Sequence, residues 1–136
     1  MPANFADVEA EWDAALDWDE RYALLIDLGR KLPPMDAALK TPATKVRGCS
    51  ANVWVYPLYE DGALHFQADS DAAITKGIVA LVVLMADGKA PGDVLATDFE
   101  GAIERLGLRQ HLSSNRTQGL PNMIARVREA ASRLSA

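Results

Sequence analysis

Lys45-Val46-Arg47-Gly48-Cys49-Ser50-Ala51-Asn52-Val53-Trp54-Val55-Tyr56 reads as strand, tight turn, strand. Val46 and the run Val53 to Tyr56 are β-branched or aromatic, the side chains that fit a pleated surface. Gly48, Ser50 and Asn52 between them are turn formers, and Gly48 frees the backbone beside the chain's one cysteine. A lone cysteine in a globular chain is commonly a small buried apolar residue. Turns, however, lie at the surface and carry function. The turn context therefore marks Cys49 as a thiol that a small loop movement presents or withdraws.

Working outward, Glu60-Asp61-Gly62 is a hairpin signal, and Ala63 to Ala68 alternates Leu64 and Phe66 against His65 and Gln67. Three strands joined by short turns predict an antiparallel meander, because parallel pairing needs longer crossovers. His65 falls on its solvent side. Asp69-Ser70-Asp71 precedes the most apolar helix, Ala72 to about Met85, whose free N–H groups any of the three can cap. Gly88 stops that helix, and Gly77 inside it predicts a close backbone approach.

Upstream, Phe5, Val8, Trp12 and Leu16 recur at helical spacing. Asp19 is the expected cap of a second helix with Tyr22, Leu25, Ile26 and Gly29 inward, ended by Pro33-Pro34. Met35 to Lys40 has room for one short turn. Downstream, Pro91-Gly92-Asp93 opens a short helix. Thr97-Asp98-Phe99-Glu100 fits a capping box for another that Gly107 closes. A last helix begins near Gln118 to Leu120, after a turn at Ser113-Ser114-Asn115. It runs to about Leu134, with Leu120, Met123, Ile124, Val127 and Leu134 inward and Arg126, Arg128, Glu129 and Arg133 outward. The expected fold class is thus α+β, a three-stranded antiparallel sheet packed with helices, in a single domain over residues 1–136.

The composition narrows the function. The chain has 136 residues, 49% of them hydrophobic and 24% charged, enough for a real core. A net charge of -5 argues against nucleic acid as the main partner. One cysteine excludes an internal disulfide and suits a reducing compartment. The N-terminus has no basic or long apolar segment of a secretory signal, and the longest apolar run, Ile78 to Ala86, is too short for a membrane span. A cytoplasmic protein is expected. Clusters and structural zinc need about four ligands, and Cys49, His65 and His111 show no ligand spacing, so no metal site is expected. No phosphate-binding glycine pattern occurs.

The thiol remains. Lys45 and Arg47 share parity with Cys49 and, in an extended chain, would raise its thiolate fraction; as strand-edge charges they would simply be solvated. Three uses of Cys49 stay open on these residues alone. It accepts sulfur by thiol exchange, in which a thiolate attacks sulfur and a thiolate leaves. It forms an acyl intermediate as a hydrolase-like pair with His111 as base. Or it is an inert core residue of a binding module.

Four motifs in order point to the first. Arg47-Gly48-Cys49 followed by Val53-Trp54 resembles the active-site loop of the SufE family, sulfur acceptors of iron–sulfur cluster assembly. Trp18-Asp19-Glu20-Arg21-Tyr22 running to Leu28-Gly29-Arg30-Lys31-Leu32-Pro33, Asp69-Ser70-Asp71-Ala72-Ala73-Ile74-Thr75-Lys76-Gly77, and Gln110-His111-Leu112 running to Arg116-Thr117-Gln118-Gly119-Leu120 resemble the same family. Many relatives have Gln and Ser where this chain has Ser50 and Ala51. The resemblance implies a SufE/IscU-like fold and docking on a pyridoxal-phosphate cysteine desulfurase of the SufS or CsdA type. It also implies acceptance of persulfide sulfur on Cys49, stimulation of that enzyme, and delivery to a SufBCD-type scaffold. Arg116, Asp69, Asp71 and, further out, His111 would border the loop or the partner, with Gly48 and Ser50 shaping the loop. The chain would need no cofactor of its own, and whether it forms a homodimer stays open.

Overall fold

The computed structural model describes residues 4–112 and 117–134. Two strands, β1 (Val53–Glu60) and β2 (Ala63–Ser70), pair antiparallel from Val53↔Ser70 to Glu60↔Ala63. Asp61 and Gly62 join them with φ of 52° and 80°, the two positive values that a two-residue turn matching strand twist demands. Val53, Val55, Leu64, Phe66 and Ala68 are buried on one face.

The third strand is a correction. Lys45–Val46 contributes an isolated bridge, Lys45↔Trp54, held by Val46 N–H to Val53 O (2.8 Å) and Val55 N–H to Thr44 O (2.9 Å). Continued in the same register, the next bonded pair would set Pro42 opposite Pro57. Neither residue has an N–H to donate, so the ladder cannot extend. The chain turns instead, with the N–H groups of Thr44 and Lys45 both donating to Thr41 O.

Helix α1 (Phe5–Ala14) is capped by Asn4 and buries Val8 and Trp12, whose indole donates to Leu106 O at 3.0 Å. Leu16, expected inward, is 88% exposed because α1 ends at Ala14 and Leu16 falls in the link. Helix α2 (Trp18–Arg30) is capped by Asp17, not Asp19: Asp17 accepts from Glu20 N–H while the Glu20 carboxylate reaches back to Leu16 N–H. That reciprocal arrangement places the cap, and so the helix start, two residues earlier than expected. A 3-10 turn covers Ala37–Leu39.

Helix α3 (Ala73–Ala86) lies against β2 and α2 with nearly every face buried. It crosses α2 at two glycines. A Cβ on Gly77 would stand 2.6 Å from the Leu25 carbonyl carbon, and one on Gly29 would stand 2.9 Å from Gly77 N. The start of α3 departs from expectation: Ala72 is its cap, with no side-chain capping bond. Strand β2 persists to Ser70, so Asp69 and Asp71 are spent elsewhere.

Helices α4 (Pro91–Ala96), α5 (Phe99–Leu106), α6 (Leu108–His111) and α7 (Leu120–Leu134) complete the fold. Asp98 rather than Thr97 caps α5, since the Thr97 hydroxyl, following α4, donates back to Asp93 O within that helix. Pro121 sits in the first turn of α7, where a missing N–H costs nothing. Leu120, Met123, Ile124 and Val127 join the core, Leu134 is half-buried, and Arg128 pairs with Glu100. The turn expected at Ser113-Ser114-Asn115 lies outside the described residues. Among the described residues no helix is long and apolar enough to cross a membrane.

Candidate functional site

Residues 43–47 form a short arm, bridged to β1 at Lys45 and flanked by turns on both sides, that leads to Cys49. Its even residues face β1 through the bonds of Thr44 and Val46 given above. Its odd carbonyls face α7 side chains: Arg126 Nη1 donates to Ala43 O (2.9 Å), Arg126 Nη2 to Lys45 O (3.0 Å), and Asn122 Nδ2 to Arg47 O (2.8 Å). Asn122 and Arg126 are four residues apart and so share one face of α7, which ties three carbonyls of the arm to that helix.

Gly48 ends the arm at φ 83°, a left-handed value that glycine adopts without penalty. A Cβ there would also press into the Asn122 amide, 3.6 Å from its Cγ and much nearer Nδ2. On the outgoing side Asp71 grips Asn52, its carboxylate accepting from the backbone N–H (3.1 Å) and from Nδ2 (2.8 Å), and its own N–H donating to Asn52 O (3.3 Å). The Cys49 loop is thus pinned at both ends, and Ser50 is exposed on it.

Cys49 is half-buried and packs against the core. Its sulfur lies on Gly119, just ahead of α7: a Cβ on Gly119 would be 3.0 Å from Cys49 Cα and Cβ and closer still to Sγ. Burial pushes the thiol pKa up. Lys45 and Arg47, which share parity with Cys49, are both exposed. An open groove of about 380 Å³ runs beside the thiol, lined by Pro42, Lys45, Val46, Arg47, Gly48 and Cys49.

The other candidates scatter. Asp69 bridges Lys40 Nζ (2.7 Å) and Lys76 Nζ (3.1 Å), and Lys40 lies over the Trp54 ring. Burial works to raise the Asp69 pKa, but the bonds from Lys40, Ser70 N–H and Lys76 outweigh it and hold the carboxyl below its ordinary value. His111 stacks on Trp18 at 4.0 Å between centroids, and its carbonyl accepts from the Tyr22 hydroxyl. No described hydrogen bond joins its imidazole to Cys49. Arg116 lies outside the described residues. Among the described residues no group of three or more His, Cys, Asp or Glu is placed to hold a metal. Sequence reading passed over Asn122 and placed Arg126 outward on the last helix without giving it a role. It quoted Gly119 within a motif without giving it a role.

A family model described as SufE, an Fe-S metabolism associated domain, matches residues 6–131. The chain belongs to the SufE family. That membership ties it to iron–sulfur metabolism. The fold is also similar to the solution structure of a hypothetical protein from Thermus thermophilus, with a TM-score of 0.79 and 19% identity over 100% of this chain and 99% of that one. At that identity the likeness speaks for the fold alone. In this SufE-family chain the Cys49 loop is pinned between Asn122 and Asp71.

Proposed function

We propose that Cys49 carries sulfur from a cysteine desulfurase of the SufS or CsdA type to a SufBCD-type scaffold, and that docking of this chain speeds the desulfurase. The supporting observation is the chain's one thiol, half-sheltered on a loop held mainly by hydrogen bonds. The step balances without an external oxidant. The Cys49 thiolate attacks the outer sulfur of the partner's cysteine persulfide and a new S–S bond forms. The partner's S–S bond breaks, its cysteine leaves as thiolate, and the proton lost from Cys49 returns to it or to solvent. No base triad or cofactor of this chain is required, and the pyridoxal phosphate belongs to the partner.

Shelter suits such a carrier. A protonated, half-buried thiol oxidises slowly, and release of the loop on docking frees it to ionise. Asp71 holds the outgoing end of the loop, Gly48 permits its turn, and Ser50 sits beside the sulfur on the exposed side. Arg116 is assigned to the partner surface, with Asp69 and His111 at the margins. The chain acts as one cytosolic domain over residues 1–136.

Intact mass after incubation with a desulfurase and free cysteine tests the reading. A gain of one sulfur atom in the parent, absent from Cys49→Ser, is expected, with loss of desulfurase stimulation in that variant. Unchanged stimulation by a folded Cys49→Ser overturns it. Arg116→Ala is expected to weaken stimulation while leaving the thiol titratable.

A further inference from the structure

The arm's three α7 bonds are not equivalent. The two from Arg126 fall on Ala43 and Lys45, beside residues that are also bonded to β1 through Thr44 and Val46. The bond from Asn122 falls on Arg47, beyond the last β1 bond and directly before the left-handed turn at Gly48. Asn122 and Arg47 are both exposed, so their bond breaks into water without opening the core. Opening the loop at that point leaves the arm in place.

We propose that Asn122 is a positioning residue: its amide latches the Arg47 carbonyl and sets how often the Cys49 loop opens. This rests on the reading of Cys49 as the reacting thiol. The same amide meets the bare Cα of Gly48, so the latch and the turn close on one another. With the bond made, the arm is drawn to α7 and the sulfur rests on Gly119, at the start of the same helix. With it broken, the Arg47 end of the loop loses its tie to α7, while the β1-bonded arm and the Asn52–Asp71 pair stay in place. A net hydrogen bond of ordinary strength changes the open population by about two- to tenfold. Where only the open loop reacts and it recloses quickly, the reaction rate of the thiol follows that population. The apparent affinity for any partner that takes the open loop follows it too.

The test is the alkylation of Cys49 by iodoacetamide in the full chain across pH 7 to 10. Asn122→Ala is expected to react about two- to tenfold faster at pH 7. The midpoint of its pH profile should move down toward that of an ordinary thiol, since a larger open fraction relieves the burial that holds the proton. Asn122→Gln, which keeps the amide, is expected to recover part of the parent's protection, and Glu129→Ala on the same helix to leave the rate alone. The same rate and midpoint in folded Asn122→Ala as in the parent overturn the latch. Should that variant not fold, Asn122→Ser, too short to reach Arg47, decides on the same criteria. Iodoacetamide needs no desulfurase, so the latch and the sulfur-carrier reading fail separately.

Discussion

The Cys49 sulfur and the bare Cα of Gly119 occupy adjoining space, so that a methyl group on Gly119 would lie within 3.0 Å of Cys49 Cα and Cβ. Gly119 is not among the residues with positive φ, so alanine there meets no backbone strain and the conflict is purely steric. The adjoining Leu120 is fully buried, whereas the loop is held by side-chain hydrogen bonds, so the loop yields. Gly119→Ala is expected to cost about 1–3 kcal/mol of stability and to speed alkylation of Cys49 at pH 7. A variant with the parent's alkylation rate would show that the thiol does not depend on this contact.

Burial of the thiol carries a pH signature. An acid whose folded pKa is raised contributes its full stability below its unfolded pKa, near 8.5 for cysteine, and loses it as pH rises toward the folded value. The parent is therefore expected to lose stability relative to Cys49→Ser from about pH 8.5 upward, with no change in the difference below it. Urea denaturation of both proteins at intervals from pH 7 to 10.5 measures this. A constant difference across the range means the thiol is solvated in the folded state.

Asp69 behaves in the opposite sense. Its carboxyl is held down by Lys40 and Lys76 against the pull of burial, so its contribution is present above the ordinary value near 3.9 and disappears as pH falls through the lowered one. Asp69→Asn leaves two ammonium groups without their shared partner. A loss of about 1 kcal/mol at pH 7 is expected, at the upper end for partly solvated pairs, shrinking below pH 4. Paired denaturation curves at pH 7 and pH 3 check it, and an equal loss at both would assign the effect to packing.

The α2–α3 crossing supports the floor of the fold. A Cβ on Gly77 would stand 2.6 Å from the Leu25 carbonyl carbon and 2.9 Å from its Cβ, and no flexible side-chain end is there to give way. Gly77→Ala is expected to cost about 3 kcal/mol, read as a lower urea midpoint. A shift under about 0.5 kcal/mol would mean that the helices part easily.

What sequence alone determined was local. The β1–β2 hairpin was legible because Asp61-Gly62 permits the turn and Leu64 and Phe66 alternate with His65 and Gln67. Helix α3 was legible because Ile78 to Met85 are apolar on nearly every face. The Cys49 turn was legible because Gly48 and Asn52 bracket it. Even there, caps slipped by a residue or two, to Asp17 and Asp98, because several residues near each helix start have the right side chain and hydrogen-bond geometry selects one.

What tertiary structure alone decided depends on residues far apart in the chain. Whether Lys45–Val46 became a strand turned on a register that sets Pro42 against Pro57, and neither proline reveals that pairing by itself. Asn122, Arg126 and Gly119 act on an arm roughly 70 to 80 residues upstream, where no periodicity or propensity connects them. Local patterns encode which way a side chain faces. Which distant backbone it meets is settled only when the packed core brings α7 alongside the Cys49 arm.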